Sequence, residues 1–144
     1  MMQKDKVIAF VCTGNTCRSP MAEGIFNKLA RERGVEVRAV SCGMAAVKGM
    51  APSPNAVEVC REIGVDISEH RSAFIYDYQI GEFDKIYCMS QEHAMILTQS
   101  IGYPPEKIEV LDVADPYGGS VEIYRMCRDI IVVCVEEIIR AYEN

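Results

Sequence analysis

The 144-residue chain contains no tryptophan, only two histidines and no Cys-x-x-Cys pair. With His70 and His93 as the only imidazoles to complement its thiols, a structural zinc site is not expected, and no metal is assigned. The cysteines number seven: Cys12, Cys17, Cys42, Cys60, Cys88, Cys127 and Cys134. An odd count without a secretory pattern at the polar start, Met1 to Lys6, argues against a disulfide framework and places the chain in the reducing cytoplasm. No Lys- or Arg-rich run occurs and the net charge is −6, which excludes the clustered cations of non-specific nucleic-acid binding. The longest apolar stretch, near Ile130 to Val135, is far too short for a membrane span, so no membrane partner is expected. Ten glycines and six prolines are too few for a fibrous chain.

What is present is an ordinary globular mixture, 49% apolar and 25% charged. The length suits one domain, residues 1–144, burying roughly 68–70% of its unfolded surface. Strand and helix signals alternate along it. Lys6 to Cys12 is a nearly continuous apolar run, as expected of a strand buried on both faces. Ser19-Pro20 reads as a cap and first residue of a helix that stops at Gly34. Val35 to Val40 is a second strand, with Cys42 after it, and Ser53-Pro54 caps a helix ending before Gly64. Lys85 to Met89 is a third strand, followed by a helix from Gln91 to about Ser100 capped by Ser90. Ile108 to Leu111 is a fourth strand. Ser120 opens the last helix, with Tyr124, Cys127, Ile131, Cys134, Ile138 and Tyr142 at helical spacing. This order predicts an α/β fold, a parallel sheet covered by helices on both faces. Ligands of such sheets bind beyond the carboxyl ends of the strands.

The loop after the first strand is the most unusual segment: Cys12-Thr13-Gly14-Asn15-Thr16-Cys17-Arg18-Ser19-Pro20. Successive N–H groups in a small, glycine-containing loop can converge on an anion, and the helix start adds positive charge. Arg18 adds a planar fork for two phosphate oxygens. Gly14 and Asn15 are residue types that tolerate positive φ. A cysteine at the base of such a cradle is favoured as thiolate, a nucleophile aimed at phosphorus. Leaving-group departure then needs an acid, and Asp112 and Asp115 both follow the fourth strand, with Asp115 held extended by Pro116. On residue type alone the two aspartates are equal candidates.

Cys-x5-Arg-Ser early in the chain, in the run Val11 to Glu23, together with Asp115-Pro116-Tyr117-Gly118 near the end, resembles the low-molecular-weight protein tyrosine phosphatases over essentially the whole length. The resemblance implies a four-stranded parallel sheet of order 2-1-3-4 and a phosphocysteine mechanism without metal or organic cofactor. It implies that Cys12 is the nucleophile and that Arg18 binds phosphate with the loop residues Thr13, Gly14, Asn15, Thr16 and Cys17. Ser19 would hold Cys12 as thiolate. Asn15, supported by His70, would keep the loop in shape, and Asp115 would be the acid and then the base. Cys17 would form a reversible disulfide with Cys12. The partners implied are phosphorylated proteins as substrates and inorganic phosphate as product.

One branch of this family hydrolyses protein phosphoarginine. Thr16 stands where tyrosine-specific members usually carry a bulkier aliphatic residue, and a single aromatic, Tyr117, follows the acid where many place two. Both features favour phosphoarginine, with phosphotyrosine as the alternative, since Tyr117 could pack on a phenyl ring at the rim. The segment Met44 to Met50 is expected at the same rim. Thioredoxin-coupled arsenate reductases and cysteine phosphocarriers resemble the same loop. The first need two neighbouring downstream cysteines, which Cys60 and Cys88 are not, and the second must keep water from phosphocysteine, which Arg18 and Asp115 argue against.

Overall fold

The computed structural model describes residues 6–143. In chain order these form β1 (Lys6–Cys12), α1 (Arg18–Glu32), β2 (Val37–Gly43), α2 (Pro54–Arg61), β3 (Lys85–Cys88), α3 (Gln91–Met95), β4 (Ile108–Val110) and α4 (Val121–Tyr142). The strands make one parallel sheet of order β2-β1-β3-β4, the topology expected from the family resemblance.

β1 lies at the centre because its side chains are apolar on both faces. Ile8, Phe10 and Cys12 enter one core with α1, α2 and α4, while Ala9 and Val11 enter the other with Ile86, Cys88 and Leu97. Phe10 packs on Phe26 and Tyr87 at centroid distances of 6.0 and 5.7 Å, tilted contacts that each add about 0.5–1.5 kcal/mol beyond area burial.

The element edges differ from the sequence reading in ways that matter to the site. β2 begins later and runs on to Gly43, with Cys42 inside it, because its ladder follows β1 to the last pair, Cys12↔Gly43. Val35 belongs instead to the end of α1, where its N–H donates to Ala30 and Gly34 takes φ 66°. α1 starts at Arg18 with Cys17 before it, so Ser19 is not its cap. The Ser90 cap is as expected, but α3 closes after Met95 and continues through wider π turns over Ile96–Ile101 to Gly102 at φ 100°.

Sheet order reverses direction between β1 and β3, so the chain leaves these neighbours toward α1 and α3 on the same carboxyl edge. That crevice receives the Cys12–Ser19 loop, the start of α3 and, from β4, the Asp115 loop.

Candidate active site

The loop from Cys12 to Arg18 wraps a cavity of about 240 Å³ lined by Cys12, Thr13, Gly14, Thr16, Cys17, Arg18, Asp115 and Tyr117. The thiol and the two charged groups that the sequence separates by about a hundred positions therefore share one wall. Among the described residues, the N–H groups of Thr13, Gly14, Thr16, Cys17 and Arg18 donate to no protein acceptor. They form a row of donors at the N-terminus of α1, the arrangement that binds anions.

Asn15 accounts for the loop's shape. It is fully buried and sits at φ 57°, in the left-handed region, so its neighbours must hold it there. Its Oδ1 accepts from the Ala73 N–H at 2.8 Å, and its carbonyl lies 2.9 Å from His70 Nε2. Its Nδ2 donates to Ser19 Oγ at 2.8 Å and Ser41 Oγ at 3.0 Å, and the Ser41 hydroxyl donates to Glu23 Oε1 at 2.6 Å. Since Ser19 Oγ accepts from Asn15, its own proton is left for Cys12 Sγ, 2.8 Å away. The Asn15 N–H adds a second donor to that sulfur at 3.3 Å. Two donors thus converge on one buried sulfur.

Gly43 completes the support. A Cβ there would stand 2.5 Å from the Thr13 carbonyl and 3.1 Å from the Asn15 nitrogen, both backbone, so only glycine lets β2 pass this close to the loop. Beyond it, the N–H groups of Met44 and Ala45 donate to the carbonyls of Cys12 and Thr13 at 2.9 Å each. The segment from Met44 thus braces the loop from behind, and no residue between 44 and 50 lines the cavity, contrary to the rim position expected for it.

Arg18 is 5% exposed, and Nη1 donates to the Val113 carbonyl at 2.8 Å. Its Nη2 lies 3.7 Å from Asp115 Oδ2, while Asp115 remains half-exposed. Asp115 Oδ1 accepts from the Tyr117 N–H at 3.0 Å, a turn that fixes the carboxylate above the cavity. The structure separates the two aspartates: Asp112, at φ 59°, is exposed and has no part in the lining. Tyr117 is 79% exposed at the rim, and Thr16 is half-buried in the wall.

Cys17 is held from the rear. Its Sγ is 3.2 Å from the Tyr124 hydroxyl, which also accepts from Ser53 Oγ at 3.1 Å. Burial pushes the Tyr124 phenol up to about 12, with the Cys17 contact in the same direction. Burial also raises the remaining thiols, Cys60 and Cys127 to about 12, Cys88 to about 11, Cys42 further still, and Cys134 in the same direction. Those cysteines are core residues, neutral at working pH. Among the described residues, no three His, Cys, Asp or Glu side chains gather as a metal site, and no helix is long and apolar enough to cross a membrane.

Sequence reasoning missed three contributors: Glu23, Tyr124 as a Cys17 partner, and His93, whose Nε2 lies 2.9 Å from Thr13 Oγ1. For His93 a signal existed, since the end of the strand beside β1 opens on the same edge as Cys12. Glu23 and Tyr124 reach the site only through packing of α1 and α4.

A thiol under converging donors, an arginine fork and a carboxylate at the mouth, on a β2-β1-β3-β4 sheet, defines a cysteine-based phosphate-loop site. The description "Low molecular weight phosphotyrosine protein phosphatase" matches residues 7–143. A protein-arginine-phosphatase of Bacillus subtilis (strain 168) is 36% identical over 131 residues, covering 85% of this chain and 87% of the relative. The structure of an arginine phosphatase with a phosphorylated active-site serine superposes with a TM-score of 0.89 at 32% identity, covering 94% of both chains. A low-molecular-weight protein tyrosine phosphatase from T. tengcongensis superposes at 0.87 with 36% identity, covering 94% of this chain and 99% of that one. The chain belongs to the low-molecular-weight phosphotyrosine protein phosphatase family.

Proposed function

We propose that the chain, as a single phosphatase domain over residues 1–144 in the cytoplasm, removes phosphoryl groups from proteins, with phosphoarginine as the preferred substrate. The observation that carries this reading is Cys12 Sγ at the base of the cavity, beneath open loop N–H groups and flanked by Arg18 and Asp115. Cys12 thiolate attacks phosphorus and forms the S–P bond as the bond to the leaving nitrogen breaks. Asp115, entering as the carboxylic acid, gives its proton to that nitrogen. The Asp115 carboxylate then takes a proton from water, the water oxygen attacks phosphorus, and the S–P bond breaks. Inorganic phosphate leaves and Cys12 returns as thiolate. Arg18 and the N–H groups of Thr13, Gly14, Thr16 and Cys17 hold the phosphoryl oxygens throughout, in a reaction that is mostly positioning and charge stabilisation. Ser19, Asn15 and His70 act through the loop and the sulfur. No metal or organic cofactor takes part, and neither nucleic acid nor membrane is a partner.

Two observations support phosphoarginine. Thr16 puts a half-buried hydroxyl, 3.7 Å from Cys17 Sγ, in the cavity wall, where an aliphatic residue would offer nothing to a guanidinium. The B. subtilis relative named for that activity also covers most of the chain. A second reading, phosphotyrosine, is favoured by the exposed Tyr117 ring at the rim and by the T. tengcongensis neighbour. An arsenate reductase relay is disfavoured because Cys60 and Cys88 are buried in separate cores on opposite faces of the sheet.

The test is turnover of matched phosphoarginine and phosphotyrosine peptides by wild type, Cys12→Ser and Thr16→Ile. The reading expects faster phosphoarginine turnover that falls in Thr16→Ile, and none in Cys12→Ser. Equal loss on both peptides in Thr16→Ile would remove Thr16 as the discriminator, and turnover by Cys12→Ser would remove the nucleophile.

A further inference from the structure

His93 is 5% exposed at the start of α3, yet it is tied to the cavity through one bond, Nε2 to Thr13 Oγ1 at 2.9 Å. Its backbone is fixed independently, the N–H donating to Ser90 Oγ at 3.2 Å in the helix cap. Its second ring nitrogen, Nδ1, is buried and has no hydrogen-bond partner among the described residues. Burial holds the imidazole below the usual histidine range, and the Arg18 guanidinium pushes the same way, against smaller opposing effects of Glu92 and Asp115. A neutral imidazole carries one proton. On Nδ1 that proton would be a buried donor with no acceptor, the costlier arrangement; on Nε2 it meets Thr13.

The consequence falls on Thr13. A hydroxyl that accepts from Nε2–H keeps its own proton for another acceptor. Thr13 lines the cavity, and its carbonyl is pinned by the Ala45 N–H at 2.9 Å, so its backbone cannot swing away. We propose that His93 is a positioning residue: its Nε2–H holds Thr13 Oγ1 so that the Thr13 hydroxyl donates to a phosphoryl oxygen of the bound substrate. This rests on the cavity being the phosphate site and adds a side-chain donor to the backbone row.

The probe is inorganic phosphate, with its Kd measured by calorimetry on wild type, His93→Leu, Thr13→Val, the double variant and His93→Gln. Losing one such hydrogen bond is expected to weaken phosphate binding about three- to tenfold in either single variant. The double variant is expected to match the weaker single one, because the two residues act as one device. A glutamine amide can donate from near the Nε2 position, so His93→Gln is expected to restore most of the affinity. Long-range proton–nitrogen NMR on the wild type is expected to find the His93 proton on Nε2. A purely structural histidine would give a lower melting temperature in His93→Leu with an unchanged Kd, which overturns the proposal. Additive effects in the double variant, or a proton on Nδ1, overturn it too. Should His93→Leu fail to fold, Thr13→Val and the NMR assignment still decide. Because Kd needs no turnover, a chain that binds phosphate but hydrolyses no peptide would defeat the phosphatase reading while leaving this series to judge His93 alone.

Discussion

Two arginines are buried in this molecule to nearly the same degree, Arg18 at 5% and Arg128 at 7% exposed, and they are built in opposite ways. Arg128, on α4, is bonded through all three of its nitrogens. Nε and Nη2 donate to Asp129 at 2.9 and 2.7 Å, and Nη1 donates to the Val59 carbonyl at 2.9 Å and to Glu62 at 2.6 Å. Arg18, on α1, has one backbone anchor and a carboxylate held off at 3.7 Å. A guanidinium offers five N–H donors. Two of the Arg128 bonds, to Val59 and Glu62, tie α4 to the end of α2 and two stay on α4 at Asp129, whereas Arg18 lines the cavity. Burial with every nitrogen bonded marks a structural group. Burial with open donors marks a group waiting for a ligand, since a buried charge is stable only when something else compensates it.

The sharpest test of the Arg18 side is to alter the carboxylate beside it, Asp115, with Asp112 as the control. Asp115→Asn is expected to slow turnover about 10²–10⁴-fold, most for poor leaving groups, as steady-state rates on substrates of graded leaving-group pKa would show. Asp112→Ala, at an exposed turn outside the cavity, is expected to leave those rates alone. If Asp112→Ala produced the leaving-group dependence instead, the acid would be misassigned. Next in size is Arg18→Lys. Replacing the fork by a point charge is expected to cost about 10²–10³-fold in kcat/KM, beside the stability lost when the buried Val113 carbonyl gives up its donor. Arg128→Lys should cost stability alone. Leaving the buried Val59 carbonyl without its donor costs about 1–3 kcal/mol of stability, read by denaturant unfolding, with kcat unchanged. A kcat loss in Arg128→Lys matching that in Arg18→Lys would erase the distinction.

The smallest effect concerns pH. The hydrogen bond from Arg125, with that from Arg128 behind it, holds the Glu62 carboxyl down to about 2, below its ordinary 4.5. A depressed acid favours the fold above the unfolded value and loses that contribution as pH falls from 4.5 toward 2. Glu62→Gln is therefore expected to flatten the acid limb of a stability–pH curve over that window. It should not change the pH dependence of turnover, which belongs to the Arg18 side. An acid limb as steep as the wild type's would show that Glu62 carries none of it.

The same contrast explains what was legible in the sequence. Cys12, Arg18 and the loop between them are contiguous, and the Asp-Pro turn is a short motif, so their chemistry shows in local spacing. The strand–helix alternation gave the layers, and the resemblance gave the strand order. What spacing could not show is assembled across the sheet. Asn15 is held by Ser41, Ala73 and His70, residues that lie 26 to 58 positions away. The shift of β2 to Val37–Gly43 follows from pairing with β1, and the requirement for glycine at 43 follows from the loop's approach to that strand. Ser19 looked like a helix cap by residue type, yet the helix and its cap lie two residues earlier and the Ser19 hydroxyl serves Cys12. Asp112 and Asp115 are equal on residue type alone; the resemblance singled out Asp115, and the fold puts it over the cavity.

The central claim is that Cys12 takes the phosphoryl group onto its own sulfur. Rapid quenching of a phosphopeptide reaction, followed by mass spectrometry of the peptide carrying Cys12, tests it directly. In the Asp115→Asn variant an aryl phosphate with an acidic phenol, which departs without a proton, serves to accumulate the adduct, since only water activation is then slowed. A phosphoryl group on Cys12 that forms at the rate of leaving-group release and disappears as inorganic phosphate appears is the predicted result. Full turnover with the phosphoryl group absent from Cys12 throughout, or carried on another residue, would contradict the account.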